Sequence, residues 1–152
     1  MSTRKVLVVC YGNTCRSPML ESLLKRDLVA TGKDVVVESA GTLEKRDNAG
    51  ANPHSITCMK ERGIDITGHQ RRFAGDLDLA SYERIYIMGA TLKADLIKLG
   101  AESDRVEILC EADGGVPNPF NADLAVDQQD MAKYIPCAAV LEKESQKIAE
   151  SL

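Results

Sequence analysis

The chain has 152 residues, of which 44% are apolar and 28% charged, and its formal net charge is −4. That length suits one domain with a buried core, expected to span residues 1–152. The acidic balance argues against a nucleic-acid partner, which demands a basic face, but leaves room for a local cluster of donors around one phosphate. No run approaches the roughly 20 apolar residues of a membrane span, and no apolar leader with a cleavage site follows Met1. The expected setting is therefore the cytoplasm, with no membrane association.

Val6 to Cys10 is a continuous apolar run, as in a strand buried on both faces. Tyr11 to Thr14 breaks it. Ser17-Pro18 then opens a helix, with Ser17 as its cap and Pro18 suited to the first helical position. Met19, Leu20, Leu23, Leu24 and Leu28 give that helix an apolar stripe, and Gly32 stops it. Val35 to Ser39 reads as a second strand, and residues 43–51 as a polar loop. Pro53 to Arg62 predicts a helix ended by Gly63. Arg84 to Met88 predicts a third strand, Leu92 to Leu99 a helix before Gly100, and Val106 to Leu109 a fourth strand. Residues 111–121 are rich in Gly, Pro and Asn and form a loop. The remainder is helical in pattern, with Pro136 expected to kink or divide it.

Strands alternating with helices imply an α/β fold: a central parallel four-stranded sheet with helices on both faces. In such sheets ligands bind beyond the carboxyl ends of the strands. The loop from Cys10 to Ser17 lies there, directly after the first strand. A Gly-containing loop between strand and helix can point consecutive N–H groups inward as an anion nest. The helix beginning near Ser17 adds its positive end. Arg16 offers a planar fork for two phosphate oxygens. Helix N-termini and neighbouring cations favour a thiolate over a thiol, so Cys10 is expected to act as an ionised nucleophile that needs no separate base. A lone Cys ending a strand is ordinarily a small buried hydrophobe, and a lone Arg starting a helix is ordinarily solvated. It is the Cys-x5-Arg-Ser spacing on a strand–loop–helix that separates them from that background. The Gly-Lys-Ser/Thr loop of nucleotide-driven phosphoryl transfer is absent. The five cysteines (Cys10, Cys15, Cys58, Cys110 and Cys137) are odd in number and irregularly spaced, so they are neither a disulfide framework nor a zinc site. No metal and no cofactor are expected.

Cys10 to Pro18 resembles the loop Cys-x-Gly-Asn-x-Cys-Arg-Ser-Pro of the low-molecular-weight protein tyrosine phosphatases. Ser39-Ala40-Gly41-Thr42, Gly63-Ile64-Asp65 with His69 and Arg72, and Pro117 to Phe120 resemble later stretches of that family. The resemblance implies that Cys10 attacks phosphorus to give phosphocysteine. It implies that Arg16 and the N–H groups of Tyr11, Gly12, Asn13, Thr14, Cys15 and Ser17 hold the phosphate oxygens. Asn13 resembles the residue that fixes the loop, and Ser17 the hydroxyl that steadies the thiolate. Ser39, His69 and Arg72 resemble supports of the loop, and Phe120 one aromatic wall of the cleft. The partners implied are a phosphorylated protein and inorganic phosphate or another oxyanion.

Three positions depart from the family. Asn118 stands where the family carries its general acid, an Asp before Pro, and an amide cannot protonate a leaving group. Asp113 and Asp123 flank the position without preceding a proline. Thr14 replaces the common Ile and resembles the branch that acts on phosphoarginine. Gly89 follows Met88 where many relatives carry Asp. Phosphotyrosine hydrolysis slowed by Asn118 is the leading expectation. Phosphoarginine hydrolysis, a weakly turning-over phosphoprotein binder and a thiol-dependent arsenate reductase are the alternatives.

Overall fold

The computed structural model describes residues 3–152. Among these, four strands form one sheet in the order β2-β1-β3-β4: β1 (Lys5–Cys10), β2 (Val36–Gly41), β3 (Arg84–Ile87) and β4 (Val106–Ile108). Every pairing is parallel, with Val8 opposite Ser39 on one side and Tyr86 on the other. Val6, Leu7, Val8 and Val9 are wholly inaccessible, as expected of a central strand covered on both faces.

Among the described residues four α-helices accompany the sheet: α1 (Arg16–Ala30), α2 (Pro53–Lys60), α3 (Thr91–Lys98) and α4 (Met131–Ser151). Helices α1 and α4 pack against each other, with α2 beside both. The crossovers from β1 to β2 and from β3 to β4 run in opposite directions along the sheet, and the right-handed rule for such connections then puts α3 on the face opposite α1. The chain leaves β1 toward β2 and later returns to β3 on β1's other edge. The carboxyl end of β1 is therefore the switch point where a crevice opens. Gly32, Gly63 and Gly100 follow α1, α2 and α3 with φ of 70°, 74° and 113°, the left-handed stop that glycine permits.

Two expectations are corrected and one, at Pro136, is narrowed. Helix α1 begins at Arg16 with Cys15 at the cap position, and no side chain caps it; the Ser17 hydroxyl is turned to Cys10 instead. Residues 122–130 are not α-helical, because Asp130 caps α4 by accepting the Ala132 N–H at 3.0 Å. Pro136 does not divide α4. A proline inside a helix costs about 3 kcal/mol. Against that, Tyr134, Cys137, Ala138, Leu141, Ser145, Ile148 and Ala149 of α4 are buried. A large apolar side chain contributes roughly 1.5–3 kcal/mol when fully buried, so Leu141, Ile148 and Tyr134 alone outweigh the proline.

Candidate active site

The β1–α1 loop turns on Asn13, whose φ of 55° lies in the left-handed region that asparagine tolerates better than most residues. The turn brings the Asn13 N–H to Cys10 Sγ at 3.2 Å. The Asn13 side chain, wholly buried, then ties three elements together. Its Nδ2 donates to Ser17 Oγ at 2.7 Å and to Ser39 Oγ at 3.0 Å. Its Oδ1 accepts from the Arg72 N–H at 2.9 Å. Its carbonyl lies 2.7 Å from His69 Nε2.

The Ser17 hydroxyl sits 3.0 Å from Cys10 Sγ. Its oxygen already accepts from Asn13, which leaves its own hydrogen for the sulfur. Two donors thus converge on Sγ at the start of α1, an arrangement suited to a thiolate. Ser39 passes its hydroxyl hydrogen on to Glu21 Oε1, and Glu21 pairs with Lys25 at 2.6 Å. Arg72 supports the loop through its backbone alone: its carbonyl accepts from Gly41 N–H at 2.9 Å, while its guanidinium turns to Glu38 at 3.3 Å. Gly41 is required by packing, since a Cβ there would lie 2.6 Å from the Tyr11 carbonyl oxygen.

Arg16 is buried and aimed by a carbonyl 100 residues away, donating from Nη1 to Val116 O at 2.9 Å. Val116 is in turn held by its N–H on Met88 O at 2.8 Å. Gly115, with φ of 99°, lets this segment approach, because a Cβ would lie 2.6 Å from the same Met88 oxygen. At Gly89 a Cβ would meet nothing within 4 Å, so the acidic residue common there would have room.

The loop opens into a pocket of about 370 Å³. Its walls include Tyr11, Gly12, Thr14, Asn118 and Phe120, around Cys10, Cys15 and Arg16. Asn118 is exposed, and its Oδ1 accepts the Phe120 N–H at 3.2 Å. Among the described residues no carboxylate lines the pocket; Asp113 and Asp123 lie outside it. Cys15 is buried against the Tyr134 hydroxyl at 3.5 Å. Burial raises its thiol above the ordinary value and outweighs the opposing Tyr134 hydrogen bond. All five cysteines are free.

Several members of the site escaped the sequence reading. Lys45 and Arg71 line the pocket. Gln129 is buried and holds the loop that carries Phe120: its Oε1 accepts from Asn121 N–H at 2.8 Å, and its Nε2 donates to Asn121 O at 2.9 Å and Leu124 O at 3.1 Å. Asn52, which caps α2, donates its N–H to Thr14 O at 2.8 Å. None of these lies within a recognisable motif. The Asn52-Pro53 cap signal is the only local cue among them.

No helix among the described residues is long and apolar enough to cross a membrane. The family model of the low molecular weight phosphotyrosine protein phosphatases matches residues 5–152. Low molecular weight phosphotyrosine protein phosphatase 1 of Drosophila melanogaster is 32% identical over 114 residues, or 74% of this chain and 73% of that protein. The protein-arginine-phosphatase of Bacillus subtilis is 30% identical over 129 residues, 82% of this chain and 85% of that one. The crystal structure of a low molecular weight protein tyrosine phosphatase from T. tengcongensis is similar with a TM-score of 0.85 at 28% identity, covering 99% of this chain and 100% of the other. The chain belongs to the low molecular weight phosphotyrosine protein phosphatase family, whose members are cysteine-dependent phosphatases.

Proposed function

We propose that this chain, acting as one domain in the cytoplasm, hydrolyses phosphotyrosine in proteins through a phosphocysteine on Cys10, with the leaving-group step slowed by Asn118. The observation that carries the reading is the pair of donors, Asn13 N–H and Ser17 Oγ, converging on Cys10 Sγ beside Arg16 in an open pocket. Cys10 Sγ attacks phosphorus as the P–O bond to tyrosine breaks. Arg16 and the loop N–H groups hold the equatorial oxygens. The departing phenolate takes its proton from water, because an amide at 118 has none to give. Water then cleaves the S–P bond, releasing inorganic phosphate and the thiolate. Asn13, Ser39, His69 and the Arg72 backbone act as positioning groups for the loop, and Phe120 and Tyr11 flank the aryl group.

Phosphoarginine is the second substrate to weigh, because Thr14 lines the pocket and a protein-arginine-phosphatase is among the relatives. Arsenate reduction by a thiol relay is disfavoured: Cys58 and Cys137 are buried in the core and Cys110 is engaged with Glu144 at 3.4 Å. The deciding experiment compares kcat/KM on phosphotyrosine, phosphoarginine and an aryl phosphate with an acidic leaving group, for the parent and for Cys10→Ser. The expected order is acidic aryl phosphate, then phosphotyrosine, then phosphoarginine, with no turnover by Cys10→Ser. Wild-type turnover by Cys10→Ser would remove the mechanism, and a phosphoarginine preference would reassign the substrate.

A further inference from the structure

Two cations at the mouth of the pocket are not used to hold the phosphate loop. Lys45 and Arg71 line the pocket with Cys10 and Arg16, and both also line an adjoining depression of about 250 Å³. The two hollows therefore meet across a basic saddle. The other cations of that depression are neutralised within the chain. Arg46 is paired with Asp76 and Glu44, both at 2.8 Å, and Arg72 with Glu38 at 3.3 Å. Lys45 is exposed and has no ion-pair partner within 4 Å among the described residues. Arg71 has only Asp47, at 3.6 Å, beyond hydrogen-bond range. Its Nε is buried without an acceptor, so Asp47 leaves part of the guanidinium's donor capacity unfilled. Its Nη2 lies 3.5 Å from where a side chain on Gly12 would begin, which puts the charge on the rim of the phosphate loop. Two positive charges thus share one carboxylate, Asp47, on a chain whose net charge is −4.

We propose that the Lys45–Arg71 saddle is a subsite for an acidic residue flanking the phosphorylated one, so that the preferred substrate is an acidic phosphotyrosine peptide. The proposal rests on the phosphotyrosine reading above and adds sequence selectivity to it. With the phosphate on Arg16 and the loop, the neighbouring peptide passes over the saddle into the depression. There a Glu or Asp side chain supplies a second anion beside Asp47, within reach of Lys45 and Arg71. The same two charges repel the cationic guanidinium of phosphoarginine, which finds no carboxylate in the pocket to receive it.

The test measures Kd of the Cys10→Ser protein, and kcat/KM of the parent, for three matched phosphotyrosine peptides flanked by Glu, Gln or Lys. One exposed contact at Lys45 and one largely buried contact at Arg71 predict about a tenfold preference for Glu over Gln, with Lys weakest, shrinking as salt is raised. Lys45→Ala and Arg71→Ala should each erode that preference, and Lys45→Glu should invert it. Lys45 is exposed, so its variants carry the test even if Arg71→Ala fails to fold. Equal affinities for the three peptides, or a Glu preference that survives Lys45→Glu, would overturn the subsite while leaving the phosphatase reading intact. Failure to bind or turn over any of the three, alongside turnover of a phosphoarginine peptide, would overturn both.

Discussion

On the proposed mechanism, Asn118→Asp should supply a general acid without disturbing the fold. The side chain is exposed, and its one hydrogen bond is an acceptance from Phe120 N–H at 3.2 Å, which a carboxylate accepts equally well. The change is nearly isosteric, so no packing is lost. What it adds is a carboxyl group in a pocket whose described lining has none. Expulsion of tyrosine releases a phenolate whose conjugate acid has a pKa of ~10, and protonating it in the transition state is typically worth ~10²–10⁴ in rate. The new carboxyl would face Arg16, Lys45 and Arg71, and neighbouring cations favour the ionised form, which cannot donate. Only part of the effect should therefore appear at neutral pH: roughly a tenfold rise in kcat/KM on phosphotyrosine, equivalent to about 1.4 kcal/mol. Two signatures should accompany it. The dependence of rate on leaving-group acidity should flatten across a series of aryl phosphates. The variant should also gain a falling alkaline limb in its pH profile, because the acid form is lost as pH rises. Identical slopes and identical rates for parent and variant would show that residue 118 does not face the leaving group.

Asn13→Gly keeps the left-handed turn but deletes three buried hydrogen bonds, so it should lower stability by about 2 kcal/mol or more and nearly abolish turnover; Asn13→Ala, which also strains the backbone by about 1–2 kcal/mol, should melt lower still in a thermal scan. Gly41→Ala drives a Cβ to 2.6 Å from the Tyr11 carbonyl oxygen, so it should cost about 1–3 kcal/mol and displace the loop, seen as a raised phosphate inhibition constant; unchanged phosphate affinity would mean the loop does not depend on this contact. Burial pushes the Cys137 thiol from an ordinary 9.0 to about 12. A thiol held protonated in the folded state stabilises fully below its unfolded pKa and loses that contribution as pH rises through the folded one. Denaturant midpoints should therefore fall between about pH 9 and 12, by up to ~1.4 kcal/mol per pH unit, and Cys137→Ala should flatten that fall.

The four strands and the loop after β1 were legible because their signals are local: an apolar run, a breaker and a helix start within a dozen residues. The parts that were misread depend on distant partners. Ser17 has the residue type of a cap, yet its hydroxyl serves Cys10 and Asn13, a choice dictated by the loop's fold rather than by the helix. Residues 122–130 carry a helical pattern, but Gln129 satisfies the backbone of Asn121, Leu124 and Ala125 from one side chain, offering the loop the hydrogen bonds a helix would have supplied. Asp130, whose side chain accepts the Ala132 N–H, sets the start of α4. Lys45 and Arg71 were invisible because 26 positions separate them and nothing in either neighbourhood marks a ligand.

The site is thereby divided into two halves with different mechanical origins. The phosphate half is fixed redundantly: Asn13 is bound from α1, β2, the His69–Arg72 segment and its own loop, and Arg16 is set by a carbonyl itself pinned to the end of β3. The leaving-group half hangs on a surface segment in which Asn118 is exposed and Phe120 half-buried, with Gln129 as its anchor. A substitution at 118 leaves every hydrogen bond of the first half untouched. If residue 118 serves the leaving group as proposed, binding of phosphate and protonation of the leaving group are separable in this fold. On the proposed reading, a chain can keep the first and weaken the second without a folding penalty, and the charge around the pocket, where Arg71 and Lys45 share Asp47 alone, is what would then discriminate among substrates.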